Sequence, residues 1–400
     1  MLDPITVRYT FRPAKRSLAT GQVTDLFGLP ECEPPHTVAA EIVLDIRPGD
    51  LVLFTGPSGS GKSSLMREAA KQLGAVDAFA LHLPDVPLID ALPGTVAERL
   101  AILSGCGLSE ARLLLRTPAE LSEGQRYRFR LALALAAQPR WIVADEFTAT
   151  LDRPLAKVVA FNLRKLVGRT GCGVLAATTH DDVADDLDAD LHVRCGDQGH
   201  VEVERRSVKK KDVSFANELW LSNGSRSDWP HFARWHYRSH HLAYTRKVIV
   251  LWHGREPIGI CAFGAPAASL SLRTKFFGLT NPRTGVALAG LNRQLWLLQR
   301  VVIHPTYRGA GIAARFVRRA CRLCPVDWIE TLSAMGQANP FFERAGFIRV
   351  GSIRKTGSSR AGYGAYGSKR VGVSAETMAK SRFSEPVYYV FDNRFRQGCE

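Results

Sequence analysis

Nowhere in the 400 residues does an apolar run approach the roughly 20 that a membrane-spanning helix needs, so no such helix is expected. The opening residues, Met1-Leu-Asp-Pro-Ile5, lack the basic and then apolar stretch of a secretory leader, and a cytoplasmic location is expected. The eight cysteines are scattered, which suits a reducing compartment and argues against a disulfide framework. Cys321-x-x-Cys324 has no matching second pair, so these thiols read as structural rather than as a zinc or redox site. Internal repeats are absent. Acid is scarce in one half only: residues 206–400 carry about 31 basic and 11 acidic side chains, net about +20, whereas residues 1–205 carry about 22 and 27, net about −5. That asymmetry points to a polyanionic partner for the second half, and nucleic acid is the expected one.

Apolar content of 46% and charged content of 23% are those of a globular protein, and 400 residues exceed what one core holds, so two or three domains are expected. Everything is organised around Leu51-Val-Leu-Phe-Thr55, an apolar strand. It is followed by Gly56-Pro57-Ser58-Gly59-Ser60-Gly61-Lys62-Ser63-Ser64 and a helix from Leu65 to Leu73. Strand, glycine loop, Lys-Ser and helix in this order make a phosphate loop. Its glycines let backbone N–H groups turn inward around phosphate oxygens, and the helix N-terminus adds a favourable dipole. Lys62 would reach the β- and γ-phosphates, and the Ser63 hydroxyl would sit on Mg²⁺.

Upstream, the alternation in Ile5 to Phe11 and Val38 to Ile46 predicts strands, and Arg47-Pro-Gly-Asp50 a turn. Tyr9, Phe11 and Phe27 are candidates to stack on adenine. Downstream, Leu121-Ser122-Glu123-Gly124-Gln125-Arg126 opens an apolar helix that runs to Ala137. Trp141 to Phe147 reads as a buried strand. Asp145 is placed to hold the Mg²⁺ shell, and Glu146 to polarise an attacking water. Leu151-Asp152 follows, and the strand Gly173 to Thr179 delivers His180 to the same sheet edge, where open α/β sheets gather ligands.

This ordered set over residues 1–205 resembles the ABC-type ATPases, an α/β P-loop fold. The resemblance implies a head-to-tail homodimer with two ATP molecules, each held between one copy's phosphate loop and the other's Ser122, Gly124 and Gln125. It also implies Glu146 as catalytic carboxylate, His180 as γ-phosphate contact and Asp152 at the nucleotide interface. Two features depart from the pattern. Only about 60 residues separate the phosphate loop from Leu121, and Leu81-His-Leu-Pro-Asp-Val-Pro87 stands where a glutamine is usual, leaving His82 or Asp85 as substitutes.

Residues 206–214 read as a basic linker, and 215–400 as a second domain. Its opening sets aromatics among bases: Trp220, Trp229, Phe232, Trp235, His236, Tyr237, Arg238, His240 and His241, a mixture suited to base stacking and phosphate contact. Asp228 is expected to cap a helix starting at Trp229-Pro230. Lys247 to Trp252 and Ile258 to Phe263 read as a strand pair around His253-Gly-Arg-Glu-Pro257. The strand Trp296 to Ile303, the turn His304-Pro-Thr-Tyr307, and Arg308-Gly309-Ala310-Gly311-Ile312-Ala313 opening a helix to Cys321 make a second anion site. No Lys-Ser follows, so it is not a second nucleotide loop of the first kind.

Arg308-x-x-Gly311-x-Ala313 resembles the pyrophosphate loop of GNAT-family acetyltransferases, and Asn339-Pro-Phe-Phe-Glu-Arg-Ala-Gly-Phe347 their last helix and Gly-Phe corner. The resemblance implies an α+β domain that grips acetyl-CoA, with Ile303 and Asn339 among the contacts. Phe342 stands where many relatives carry a proton-donating tyrosine, and no Glu occupies the strand before Val301. His304, Tyr307, Glu330 and Ser333 are the candidate replacements. Residues 355–385, rich in Gly, Ser, Lys and Arg, read as a basic insertion before a final strand from Glu385 to Phe391. The expected function is an ATP-hydrolysing, acetyl-CoA-dependent N-acyltransferase acting on, or bound to, nucleic acid. The alternatives are a nucleic-acid clamp with a non-catalytic coenzyme-binding domain, a protein or small-molecule acetyltransferase, and a transport ATPase subunit.

Overall fold

The computed structural model describes residues 2–10, 15, 17–30, 35–196, 199–206, 212–236, 242, 244–279, 284–353 and 385–395. The chain divides into two compact units, Met1–Ser214 and Phe215–Glu400. Phe11, Tyr237, Arg238, His240, His241 and almost all of the insertion at 355–385 lie outside the described residues. No helix among the described residues is long and apolar enough to cross a membrane.

The first unit opens on an antiparallel ribbon, β1 (Ile5–Tyr9) and β2 (His36–Ile42), with α1 (Leu18–Phe27) between them. Then come β3 (Leu51–Thr55), α2 (Lys62–Leu73), β4 (Val76–Asp77), α3 (Val96–Gly105), α4 (Glu123–Ala137), β5 (Trp141–Ala144), α5 (Arg153–Thr170), β6 (Gly173–Ala177), α6 (Ala184–Leu187), β7 (Leu191–Cys195) and β8 (Val201–Arg205). The main sheet runs β4-β5-β6-β3-β7-β8, parallel except for β8. β3 is buried along its whole length, as its unbroken apolar sequence requires of a strand covered on both faces. Leu51 and Leu53 enter one core with Phe129 and Leu131 of α4 and Ala160 of α5, while Val52 and Phe54 enter the other with Leu65 and Met66 of α2.

Several boundaries differ from expectation. β2 stops at Ile42 and β5 at Ala144. The second stop follows from Glu146, which takes φ +47°, a left-handed conformation that no strand can contain. α2 begins at Lys62, not Leu65, because the loop's last glycine already ends the irregular backbone.

The second unit is β9 (Leu219–Gly224), α7 (Trp229–Ala233), β10 (Lys247–His253), β11 (Glu256–Gly264), α8 (Ser271–Phe277), α9 (Gly285–Gln294), β12 (Leu295–Ile303), α10 (Ile312–Arg322), β13 (Trp328–Ser333), α11 (Phe341–Arg344), β14 (Ile348–Ser352) and β15 (Val387–Asp392). They form one sheet, β14-β15-β13-β12-β11-β10-β9. The neighbours β12 and β13 are parallel, and their pairing covers only Leu295–Trp328, Trp296–Ile329 and Leu297–Glu330. Beyond that point β12 continues for six residues to Ile303, so a wedge opens toward the strands' carboxyl ends. Against β11, the register of β12 jumps from Leu298 to Arg300, a bulge at Gln299 beside the wedge.

α7 does start at Trp229, but Asp228 makes no side-chain cap to it. Its carboxylate instead accepts from Ser225 N at 2.7 Å and closes the preceding 3-10 turn. The last helix among the described residues is a single turn, α11. Cys321 and Cys324 are buried, and Cys324 Sγ donates to Ala320 O at 3.4 Å, a structural use of both thiols.

Candidate nucleotide and coenzyme sites

At the carboxyl end of β3 the chain turns through Gly56–Gly61 into α2. Gly61 has φ +88°, and a Cβ there would lie 2.0 Å from Val38 of β2, so only glycine fits. A Cβ on Gly56 would lie 2.0 Å from Cys195 O. Lys62 is nearly buried, and its Nζ donates to Gly56 O at 2.8 Å and Pro57 O at 2.7 Å, bracing the loop. Ser60 Oγ is buried with no partner in the protein, which fits a loop built to meet an acceptor-rich ligand. Ser58, Gly59 and Ser64 complete the cradle. Tyr9 Oη is hydrogen-bonded to Ser64 Oγ, which sets this aromatic beside the loop; Phe27 is 73% exposed on α1.

Ser63 Oγ donates to Asp145 Oδ1 at 3.1 Å, so the two residues expected at Mg²⁺ are in contact. Arg67 NH2 lies 3.6 Å from the other oxygen of Asp145, and Tyr127 of α4 donates to its carbonyl at 2.9 Å. Glu146 is exposed on the left-handed residue just beyond. His180 is held after β6 by two threonines the sequence reading did not single out. Its backbone N–H donates to Thr178 Oγ1 at 3.0 Å, and Thr148 Oγ1 lies 3.3 Å from its Nδ1. Thr148, two residues after Glu146, thereby ties the ends of β5 and β6 together.

Ser122 and Gln125 form a capping box that starts α4, and a Cβ on Gly124 would lie 2.9 Å from Thr150 Oγ1. Asp152 caps α5, accepting from Leu155 N at 2.9 Å. Arg128, one turn into α4, donates to Gly124 O at 3.1 Å and Gly107 O at 2.7 Å and so fixes the helix start from behind. Of the two glutamine substitutes, Asp85 is exposed, and His82 lines an apolar cavity of about 310 Å³ with Val76, Leu81, Pro84 and Leu133.

The second unit repeats the device. β12 ends at Ile303, a short turn follows, and α10 starts on Gly311 with φ +81°, close to the +88° of Gly61. Gly309 is also left-handed, and Ala310 and Ile312 are buried beneath the loop. The backbone N–H groups of the first turn, Ile312 and Ala313 among them, have no intrahelical partner and could hold an anion. Arg308 folds back: its guanidinium donates to Ile303 O at 2.9 Å and Trp235 O at 3.2 Å. Asn339 is exposed at the foot of α11, its N–H donating to Met335 O at 2.8 Å.

The four candidate proton carriers meet different fates. Glu330 is buried, with Arg273 NH1 3.4 Å from Oε1 and Tyr388 Oη donating to Oε2 at 2.9 Å. Burial pushes its carboxyl up, against Arg273 and the tyrosine, which draw it down. Ser333 is buried in β13 and Tyr307 is locked on His253 at 2.8 Å. His304 accepts from Thr306 N at 3.3 Å with its ring 4.4 Å from Trp235. Phe342 packs 5.4 Å from Tyr389, whose hydroxyl donates to Glu343 Oε1 at 2.9 Å. Burial pushes Tyr389 up to about 12.

A parallel sheet ending in a Lys-Ser phosphate loop beside Asp145 defines a P-loop ATPase fold, and a wedge-split sheet with its own anion loop defines the second unit. Residues 268–360 match the acetyltransferase (GNAT) domain family. The chain is 33% identical over 225 residues to the lipoprotein-releasing system ATP-binding protein LolD of Novosphingobium aromaticivorans, covering 46% of this chain and 93% of that protein. Identity to the zinc import ATP-binding protein ZnuC of Roseobacter denitrificans is 32% over 175 residues, covering 38% and 68%. Among solved structures, a dimeric post-hydrolysis ATP-binding cassette bound to ADP and Pi has 22% identity and a TM-score of 0.38, covering 52% of this chain and 98% of that one. The chain therefore belongs to the ABC-type ATP-binding protein family through its first unit, and it carries a GNAT acetyltransferase domain in its second. Both are enzyme families.

Proposed function

We propose that the protein is an ATP-hydrolysing, acetyl-CoA-dependent N-acyltransferase of the cytoplasm that works on, or while bound to, nucleic acid. The observation that carries this reading is the repeated device: a strand, a left-handed glycine and a helix N-terminus, at Gly61 and again at Gly311. In the first, Lys62 and the amides of residues 59–64 hold phosphates, Ser63 and Asp145 hold Mg²⁺, Glu146 orients water, and His180 contacts the γ-phosphate. Two copies close on ATP, with Ser122, Gly124, Gln125 and Asp152 of one copy facing the phosphate loop of the other.

In the second, Arg308–Ala313 hold the coenzyme diphosphate, with Ile303 and Asn339 flanking. Acetyl-CoA supplies the acyl group. The protein's part is to hold an acceptor amine against the thioester in the wedge and to let one proton leave, which needs positioning more than a strong base. The net charge of about +20 over residues 206–400 supports a nucleic-acid acceptor or tether.

The test is incubation with ATP and labelled acetyl-CoA against separate DNA, tRNA and protein pools. Label in DNA or tRNA supports the reading. Label in protein alone makes the enzyme a protein acetyltransferase. Retained coenzyme binding with no label in any pool makes the second unit a non-catalytic sensor. A second reading, a transport ATPase subunit, is favoured by the lipoprotein-releasing and zinc-import names of the relatives. It requires a separate membrane subunit that raises ATP turnover without nucleic acid.

A further inference from the structure

We propose that Glu218, His253 and Tyr307 form a hydrogen-bonded clamp that sets the pose of the coenzyme loop, with His253 as its positioning residue. The proposal rests on reading Arg308–Ala313 as the coenzyme diphosphate loop. Tyr307 precedes Arg308 and is 1% exposed. Its hydroxyl lies 2.8 Å from His253 Nδ1, and His253 Nε2 lies 3.1 Å from Glu218 Oε2. Phe215 lies along the pair, its ring 4.9 Å from His253 and 5.6 Å from Tyr307.

The direction of the chain follows from proton counting. A carboxylate only accepts, so Nε2 carries the hydrogen and donates to Glu218. If the ring is neutral, Nδ1 then accepts and the Tyr307 hydroxyl donates to it. The contacts on the two ring nitrogens hold the tyrosine hydroxyl against the imidazole and the imidazole against the carboxylate. The three residues come from the stretch leading into β9, the end of β10 and the turn after β12. The loop is thus fastened across the sheet's edge as well as by α10. Arg308 also reaches Trp235 O, and His304 packs on the Trp235 ring. Held by both sets of contacts, the amides after Gly309 are aimed before any anion arrives, which lowers the ordering cost of binding.

The experiment uses the full chain. Coenzyme A affinity is measured by calorimetry for wild type, Tyr307→Phe, His253→Leu and His253→Gln. Hydrogen exchange of residues 304–312 is followed in the coenzyme-free protein, with melting curves to establish that each variant is folded. Tyr307→Phe and His253→Leu should weaken coenzyme A about tenfold and speed exchange in the loop. His253→Gln accepts from Tyr307 and donates to Glu218 as histidine does, so it should stay within about twofold. In turnover, the loss should appear in KM for acetyl-CoA and not in kcat. Should His253→Leu not fold, Tyr307→Phe, which removes one oxygen and keeps the ring, carries the test. Wild-type affinity in Tyr307→Phe, or a His253→Gln as weak as His253→Leu, overturns the clamp. A wild type that binds no coenzyme A removes the coenzyme reading instead; the clamp then stands or falls on whether loop exchange changes.

Discussion

Arg273 and Glu330 face each other at 3.4 Å with both side chains 2% exposed, and Tyr388 donates to the far oxygen of the carboxylate. A carboxylate so enclosed is a structural tie and a poor general base, because it is buried and paired. Arg273→Leu should cost the second unit about 3–5 kcal/mol, since it strands a buried carboxylate; a melting shift no larger than that of a surface substitution would refute the tie. Glu146, by contrast, is exposed and poised on a left-handed backbone. Glu146→Gln should lower ATP hydrolysis about 100-fold or more while nucleotide stays bound and the dimer lives longer. Unchanged hydrolysis would remove Glu146 from the reaction.

His192 lies under the phosphate loop with Nε2 2.8 Å from Thr55 Oγ1, and burial together with Arg194 and Arg206 pushes it from 6.5 down to about 4. The unfolded chain takes up this proton near pH 6.5, while the folded chain refuses it until about 4. Stability from this group is therefore complete above 6.5 and declines through that window as pH falls. His192→Gln should flatten the pH dependence of unfolding free energy between these limits; an unaltered slope would show that the histidine is not held neutral.

At the scale of elements, the two anion loops were the most legible parts of the chain. Each needs glycine at one backbone position and a helix immediately after, so the chemistry is written in adjacent residues. Gly311→Glu should abolish acetyl-CoA binding by forcing a side chain and a negative charge into a left-handed, amide-lined turn; normal affinity would sink the coenzyme reading. What lay between the motifs was less legible. Asp228 has the sequence of a cap for α7, yet its backbone is already helical (φ −77°, ψ −20°) and not extended as a cap requires, and its carboxylate closes the turn before it. β5 has the composition to continue to Phe147, yet it ends where Glu146 turns left-handed. Thr148 and Thr178, which steady His180, carry no motif of their own; they meet only because β5 and β6 are neighbours in the sheet.

Over the whole molecule, basic charge sits in the second half, and nucleic-acid affinity should fall steeply with added salt, with a log–log slope of several. Activity on a small amine should not. A salt-insensitive complex would reject the nucleic-acid reading. The sequence by itself determined the two fold classes, and it marked both glycine loops and the strand ends that carry Asp145 and His180, since each depends on short spacings that local chemistry dictates. Tertiary structure alone decided which candidate proton carriers are buried and what holds the loops. The wedge after Leu297, the burial of Glu330 by Arg273, and the line from Glu218 through His253 to Tyr307 join residues tens of positions apart. Such contacts follow from the order in which strands pair, which no local pattern of side chains specifies.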